Sequence, residues 1–210
     1  MSAYLVALVR MWRGWAIVLP VIVVNAMVQA LLILPDVTPD LTAGFVLLAI
    51  VSLLVLIVSF ALVGSAVLQA AVGRVDARRV LVQARQRLPM LALWSLGLLI
   101  AVLLGLSLWL LPGFIILAIT PYLLLAVLDG RSNPLKVNFS VLGRRVGSWS
   151  FTLALMGITS LVIWVLAVAT GFFVTGSPGA LIGWLGLGFV SSWFTCAWAL
   201  IYQPAVRSDR

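Results

Sequence analysis

The stretch LPMLALWSLGLLIAVLLGLSLWLLPGFIILAITPYLLLAVL, residues 88–128, runs for 41 positions between Arg87 and Asp129 without a charged side chain. A hydrocarbon core about 30 Å thick is crossed by about 20 apolar residues of helix rising 1.5 Å each. The run therefore holds two spans. Leu111-Pro112-Gly113 marks the turn between them, because Pro lacks the N–H that continues a helix and Gly turns freely. Barrel strands would alternate apolar and polar residues, and this run does not.

The same reading extends outward. Uncharged runs of 22, 33 and 61 residues separate Arg13 from Asp36, Asp40 from Arg74, and Arg145 from Arg207. They hold one, one and two spans, the last pair divided at the turn formers Thr175-Gly176-Ser177-Pro178-Gly179. The sequence thus predicts an all-α integral membrane protein, a single domain over 1–210, with spans near 14–34, 43–68, 90–110, 113–129, 148–173 and 181–203. Composition agrees. The 210 residues are 64% hydrophobic and 9% charged, against about 45–50% and about 25% in soluble domains. A soluble enzyme, a nucleic-acid-binding domain and a disordered linker are excluded.

Charge sets the orientation. All 13 Lys and Arg fall at the N-terminus (Arg10, Arg13), between spans two and three, between spans four and five, or in the tail (Arg207, Arg210). With six spans these segments share one side, and the opposite side carries only Asp36 and Asp40. The positive-inside rule places both termini in the cytoplasm. The net charge of +8 is then set against anionic lipid headgroups. Nucleic acid is not a partner, since no compact basic domain exists to hold it. Arg10 and Arg13 also look like the start of a signal peptide, but the apolar run continues through Leu34 and favours a retained span. Residues 1–13 are expected along the cytoplasmic interface, with Tyr4, Trp12 and Trp15 at headgroup depth.

The two basic loops share a plan. Gly73-Arg74 is followed by Arg79-Val80, and Gly130-Arg131 by Lys136-Val137, as in a gapped direct repeat. Each reads as a short amphipathic cytoplasmic helix, near 76–88 and 133–145. Asp76 caps the first, with Ala77, Leu81, Ala84 and Leu88 on one side. Asn133 caps the second, with Pro134 at its first position and an apolar stripe of Leu135, Phe139 and Leu142. Arg78, Arg79, Arg85, Arg87, Lys136, Arg144 and Arg145 are the candidate contacts to lipid headgroups or to a protein partner.

Leu111-Pro112-Gly113-Phe114-Ile115, Pro121, Asp129-Gly130-Arg131, Asn138-Phe139-Ser140-Val141-Leu142 and Trp149 together resemble a group of bacterial six-helix membrane proteins. The group comprises the membrane domain fused to some glycerophosphodiester phosphodiesterases and the related YciC-like proteins, and the likeness covers about residues 70–205. It implies a six-helix fold in a cytoplasmic membrane. It implies no activity, because the phosphodiesterase chemistry belongs to a soluble domain. Twelve Arg against one Lys also points to a GC-rich bacterial genome.

The chemistry of the chain is sparse. There is no His and no Glu, and the five acids are Asp36, Asp40, Asp76, Asp129 and Asp209, in loops or the tail. General acid–base catalysis needs a positioned titratable group. The lone Cys196 sits mid-span, and no phosphate-cradling glycine loop occurs. The chain reads as non-enzymatic, without cofactor or metal. Its intramembrane polar candidates are the i,i+4 pairs Asn25/Gln29 and Ser65/Gln69, read as interhelical hydrogen bonds before a substrate site. Small residues at contact spacing include Ala101/Gly105 and Gly188/Ser192/Cys196. The expected function is a non-catalytic accessory or assembly subunit of a larger cytoplasmic-membrane complex. The alternative is a permease-like or lipid-handling membrane subunit of an ATP-driven exporter with a separate nucleotide-binding partner.

Overall fold

The computed structural model describes residues 3–32, 42–173 and 177–207. Among them the regular elements are helices: α1 (Ala3–Arg13), α2 (Trp15–Leu31), α3 (Ala43–Val72), α4 (Ala77–Leu108), α5 (Leu110–Ile119), α6 (Leu123–Leu128), α7 (Pro134–Arg144), α8 (Val146–Phe173) and α9 (Ser177–Arg207). Five stretches are long and apolar enough to cross a membrane: 43–72, 77–108, 111–128, 146–163 and 177–206; α1 and α2 together make a sixth, bent by 90°. The chain is a multi-pass helical membrane protein. The loop holding Asp36 and Asp40, the break at Thr175-Gly176, the tail residues Asp209 and Arg210, and the side chain of Trp164 lie outside the described residues.

The first span starts where the chain turns at Gly14. Helix α1 buries Ala7 and Met11 and leaves Leu5, Val9 and Trp12 outside. Helix α1 stands at 90° to α2, and Trp12 stacks on Trp15 across the bend with ring centroids 5.0 Å apart. Arg10 reaches the carbonyls of Ala70 and Ala71 at 3.2 and 3.3 Å, satisfying the C-terminal end of α3 with a cation, as the helix dipole favours.

Three expectations need correction. The amphipathic segment near 76–88 and the span near 90–110 are one helix, α4, running through Pro89. Asp76 does cap it, accepting from the Arg78 N–H at 3.0 Å. Pro89 removes one hydrogen bond, but Val80, Ala84 and Leu91, buried on either side, hold the helix together across it. Leu81, expected on the apolar side with Ala84, faces outward.

Second, the turn between spans three and four lies at Trp109, whose backbone is extended at φ −164° and ψ 143°. Pro112 and Gly113 sit inside the first turn of α5, where a missing N–H needs no partner. The hairpin closes tightly: a Cβ on Gly105 would lie 2.7 Å from the Gly113 nitrogen. Third, the span near 113–129 is not continuous. It breaks at Thr120-Pro121-Tyr122, between α5 and α6.

Helix α7 forms where expected, with Asn133 accepting from the Lys136 N–H at 3.0 Å. Its apolar residues Leu135 and Phe139 face away from the protein, while Pro134, Asn138 and Val141 are buried. Helices α3 and α9 form the centre: α9 packs on α1, α2, α3 and α8, and α3 on α2, α4 and α9. Helix α3 runs on to Val72 and α9 begins at Ser177, so both outrun their predicted spans.

Candidate functional site

The basic segments of the sequence meet at one end of the bundle. Helix α6 ends there in a Schellman turn: Arg131 N–H donates to the Ala126 carbonyl at 3.1 Å and Gly130 N–H to the Val127 carbonyl at 3.0 Å. Gly130 takes φ +76°, the left-handed conformation that favours glycine at this position. The Arg87 guanidinium lies directly over it, where a Cβ would stand. Asp129 then accepts from Arg131 Nε at 2.8 Å and from the Tyr202 hydroxyl at 3.1 Å, tying α6 to α9. Burial pulls the Arg131 pKa down, but the Asp129 carboxylate outweighs it and leaves the value raised, so the guanidinium stays charged.

Beside this lies a chain of amides. Gln69 on α3 accepts from the Asp76 N–H at 3.2 Å and donates to Gln83 on α4 at 3.3 Å. Gln83 in turn donates to the Leu128 carbonyl at 3.1 Å. These groups form part of the wall of a cleft of about 920 Å³ between α3, α4, the end of α6 and α9. Arg74, Arg78, Arg79 and Arg131 line it against Asp76 and Asp129. Arg79 pairs with Asp76 at 3.5 Å from a largely exposed position, a contact of little energetic weight.

The other predicted basic contacts distribute differently. Arg78, Arg79, Arg85, Arg87, Lys136, Arg144 and Arg145 are all exposed. Only Arg78 and Arg79 line the cleft. Arg87 covers Gly130, and Arg144 reaches the Ala205 carbonyl on α9 at 3.4 Å. Arg85, Lys136 and Arg145 stand on the outer surface.

Inside the membrane, Asn25 and Gln29 both turn to α3. Ser59 donates to Asn25 Oδ1 at 3.4 Å, and Ser52 donates to Gln29 Oε1 at 2.8 Å, while Gln29 Nε2 donates to the Ser52 carbonyl at 3.3 Å. Ser65, by contrast, is fully buried with no partner for its hydroxyl among the described residues, and does not act with Gln69. Asn25 and Ser59 also edge a cavity of about 330 Å³, where Ser95, Ser191, Ser192 and Thr195 join an otherwise apolar wall.

Sequence reading missed Gln83, Tyr202 and the pairing of Asn25 and Gln29 with Ser59 and Ser52. The signal existed for the serines, which lie seven residues apart on one face of α3. It also passed over Asn138 as a structural group. Asn138 Oδ1 accepts from the Tyr122 N–H at 3.0 Å and Nδ2 donates to the Ile119 carbonyl at 2.7 Å. Trp149 Nε1 adds a bond to the Ala118 carbonyl at 2.8 Å. The two side chains supply hydrogen bonds that the break at Pro121 leaves unmade.

Among the described residues no three His, Cys, Asp or Glu side chains cluster as a metal site, and Cys196 is buried. No family model matches the chain, and no curated protein or solved structure matches it.

Proposed function

We propose that the chain is a non-catalytic accessory or assembly subunit of a larger complex in a bacterial cytoplasmic membrane, with its basic end and both termini in the cytoplasm. The likeness to YciC-like membrane proteins supports the setting. The observation that carries the reading is the outer face of α8. This helix packs on α9 along one side, and its first turns touch α1, where Tyr4 Oη meets Thr152 Oγ1 at 2.8 Å. On the opposite side, Gly147, Ser150, Ala154 and Gly157 recur at helical spacing and are exposed. A Cβ on Gly157 would meet nothing within 4 Å. Small residues gain nothing against lipid tails, but they let a second helix approach closely. That face fits a helix of a partner.

Purification in mild detergent from the native membrane, followed by mass spectrometry, tests the reading. A stoichiometric membrane partner is expected, and Ala154→Leu with Gly157→Leu should release it while the chain keeps its own thermal stability. Purification of the wild-type chain alone overturns the proposal.

The exporter reading rests on a different observation, the 330 Å³ cavity with its hydroxyl-bearing wall. It predicts a co-purifying ATPase whose activity falls when Arg78, Arg79 and Arg85 are replaced by Ala. Unchanged hydrolysis counts against it.

A further inference from the structure

We propose that the cleft at the basic end binds the phosphate headgroup of one anionic phospholipid. The inference stands on the cleft itself and is independent of the partner proposed for α8. The cleft's four Arg and two Asp leave two positive charges in excess. Both carboxylates already have partners, Asp76 at the start of α4 and Asp129 with Arg131 and Tyr202. Among the described residues neither Arg74 nor Arg78 forms an ion pair. Two guanidiniums therefore face a cleft whose volume lies within the roughly 300–1,000 Å³ of small-ligand sites.

A phosphate oxygen accepts charge-assisted hydrogen bonds from such donors, and guanidinium geometry suits it. Gln86 and Gln203, also on the wall, add uncharged amides for the free hydroxyls of a glycerol headgroup. The apolar part of the wall distinguishes a lipid from a soluble phosphate. Val72, at the end of α3, and Val82, on the early turns of α4, line the same cleft and are 55% and 48% exposed. Apolar side chains beside guanidiniums match a molecule whose phosphate is joined to acyl chains. Basic pockets between spanning helices are a recurrent form of headgroup recognition.

Native mass spectrometry of the full-length chain, released from micelles doped with phosphatidylglycerol, provides the test. One phosphatidylglycerol should remain bound, and phosphatidylcholine at the same fraction should not. Inorganic phosphate should fail to displace the lipid. Arg74→Gln combined with Arg78→Gln should weaken retention at least about thirtyfold, because two charge-assisted hydrogen bonds to the phosphate are lost. Arg85→Gln combined with Arg145→Gln, outside the cleft, should change it less than about twofold. Equal losses in the two pairs would reduce the effect to general surface charge and overturn the proposal. Displacement by inorganic phosphate, or equal retention of phosphatidylcholine, would overturn it as well. Thermal melts of both double variants in lipid-free detergent, expected to match the wild type, separate lost binding from lost folding.

Discussion

Asn138 and Tyr122 are joined across the break between α5 and α6: the Asn138 carboxamide accepts the Tyr122 N–H and, from its other atom, donates to the Ile119 carbonyl. Asn138 is fully buried. The break at Pro121 is thus completed by a residue of α7, and α7 is held against the bundle by the same two bonds. In a membrane, unsatisfied backbone groups find no water. Asn138→Leu should therefore destabilise the protein by about 2–6 kcal/mol, since two backbone groups each lose a partner worth about 1–3 kcal/mol. Asn138→Asp keeps the acceptor and loses the donor, so its defect should be severe as long as the carboxyl is ionised. Thermal unfolding in detergent reads both. A melting temperature unchanged in Asn138→Leu would show that the break is satisfied in some other way.

Gly130 should be intolerant for two separable reasons. Its φ of +76° disfavours any side chain, and the Arg87 guanidinium occupies the space a Cβ needs. Gly130→Ala is expected to cost about 1–2 kcal/mol from the backbone, with a further loss from displaced Arg87. Arg87→Ala in the same chain should recover the second part and not the first. Full recovery in the double variant would mean that the backbone conformation carries no penalty.

The helix hairpin gives a matched pair of substitutions in one element. A Cβ on Gly105 would meet the backbone of Gly113 at 2.7–2.9 Å, whereas one on Gly97 meets nothing within 4 Å. Backbone does not yield as a side chain does. Gly105→Ala should lower the melting temperature by several degrees, a loss of about 1–3 kcal/mol. Gly97→Ala, in the same helix, should be neutral or mildly stabilising, because Gly costs helix about 1 kcal/mol relative to Ala. Equal effects at the two positions would argue against the close approach of α4 and α5.

What the sequence disclosed follows from what it lacks. Runs without charge admit only buried or lipid-facing helix, so the presence of long apolar helices and the caps Asp76 and Asn133 were legible. The prolines were not. Pro89, Pro112 and Pro121 look alike in sequence, yet the first is carried within α4, the second sits in a first turn and the third breaks a span. The outcome at each depends on groups distant in the chain, above all Asn138, 16 positions from Tyr122. The cleft was half legible for the same reason. Its arginines announce themselves as topology charges, but Gln69, Gln83 and the Leu128 carbonyl become one hydrogen-bonded wall only when three helix ends meet.

The Gln29–Ser52 bond separates a packing role from a ligand role for the intramembrane amides. Ser52 donates to Gln29 at 2.8 Å and its carbonyl accepts in return. In a double-mutant cycle of Gln29→Leu and Ser52→Ala, coupling of about 0.6–1.7 kcal/mol is expected, the range of such bonds within membranes. Coupling near zero would mean that the two side chains act independently, leaving the Gln29 amide available to a ligand.

The proposed orientation predicts an accessibility pattern that two single cysteines decide. Cys196 is the single cysteine of the sequence, so a Cys196→Ala background leaves no native thiol for a maleimide. Thr38→Cys lies in the segment that carries Asp36 and Asp40 and no basic residue. Ser132→Cys lies between Arg131 and Asn133, exposed at the basic end. Cationic segments are retained on the cytoplasmic side during insertion. A membrane-impermeant maleimide added to intact cells should therefore label position 38 and not position 132, and permeabilisation should expose 132. Labelling at 132 in intact cells, with 38 protected, would invert the topology. The basic cleft and its proposed lipid would then belong to the outer leaflet.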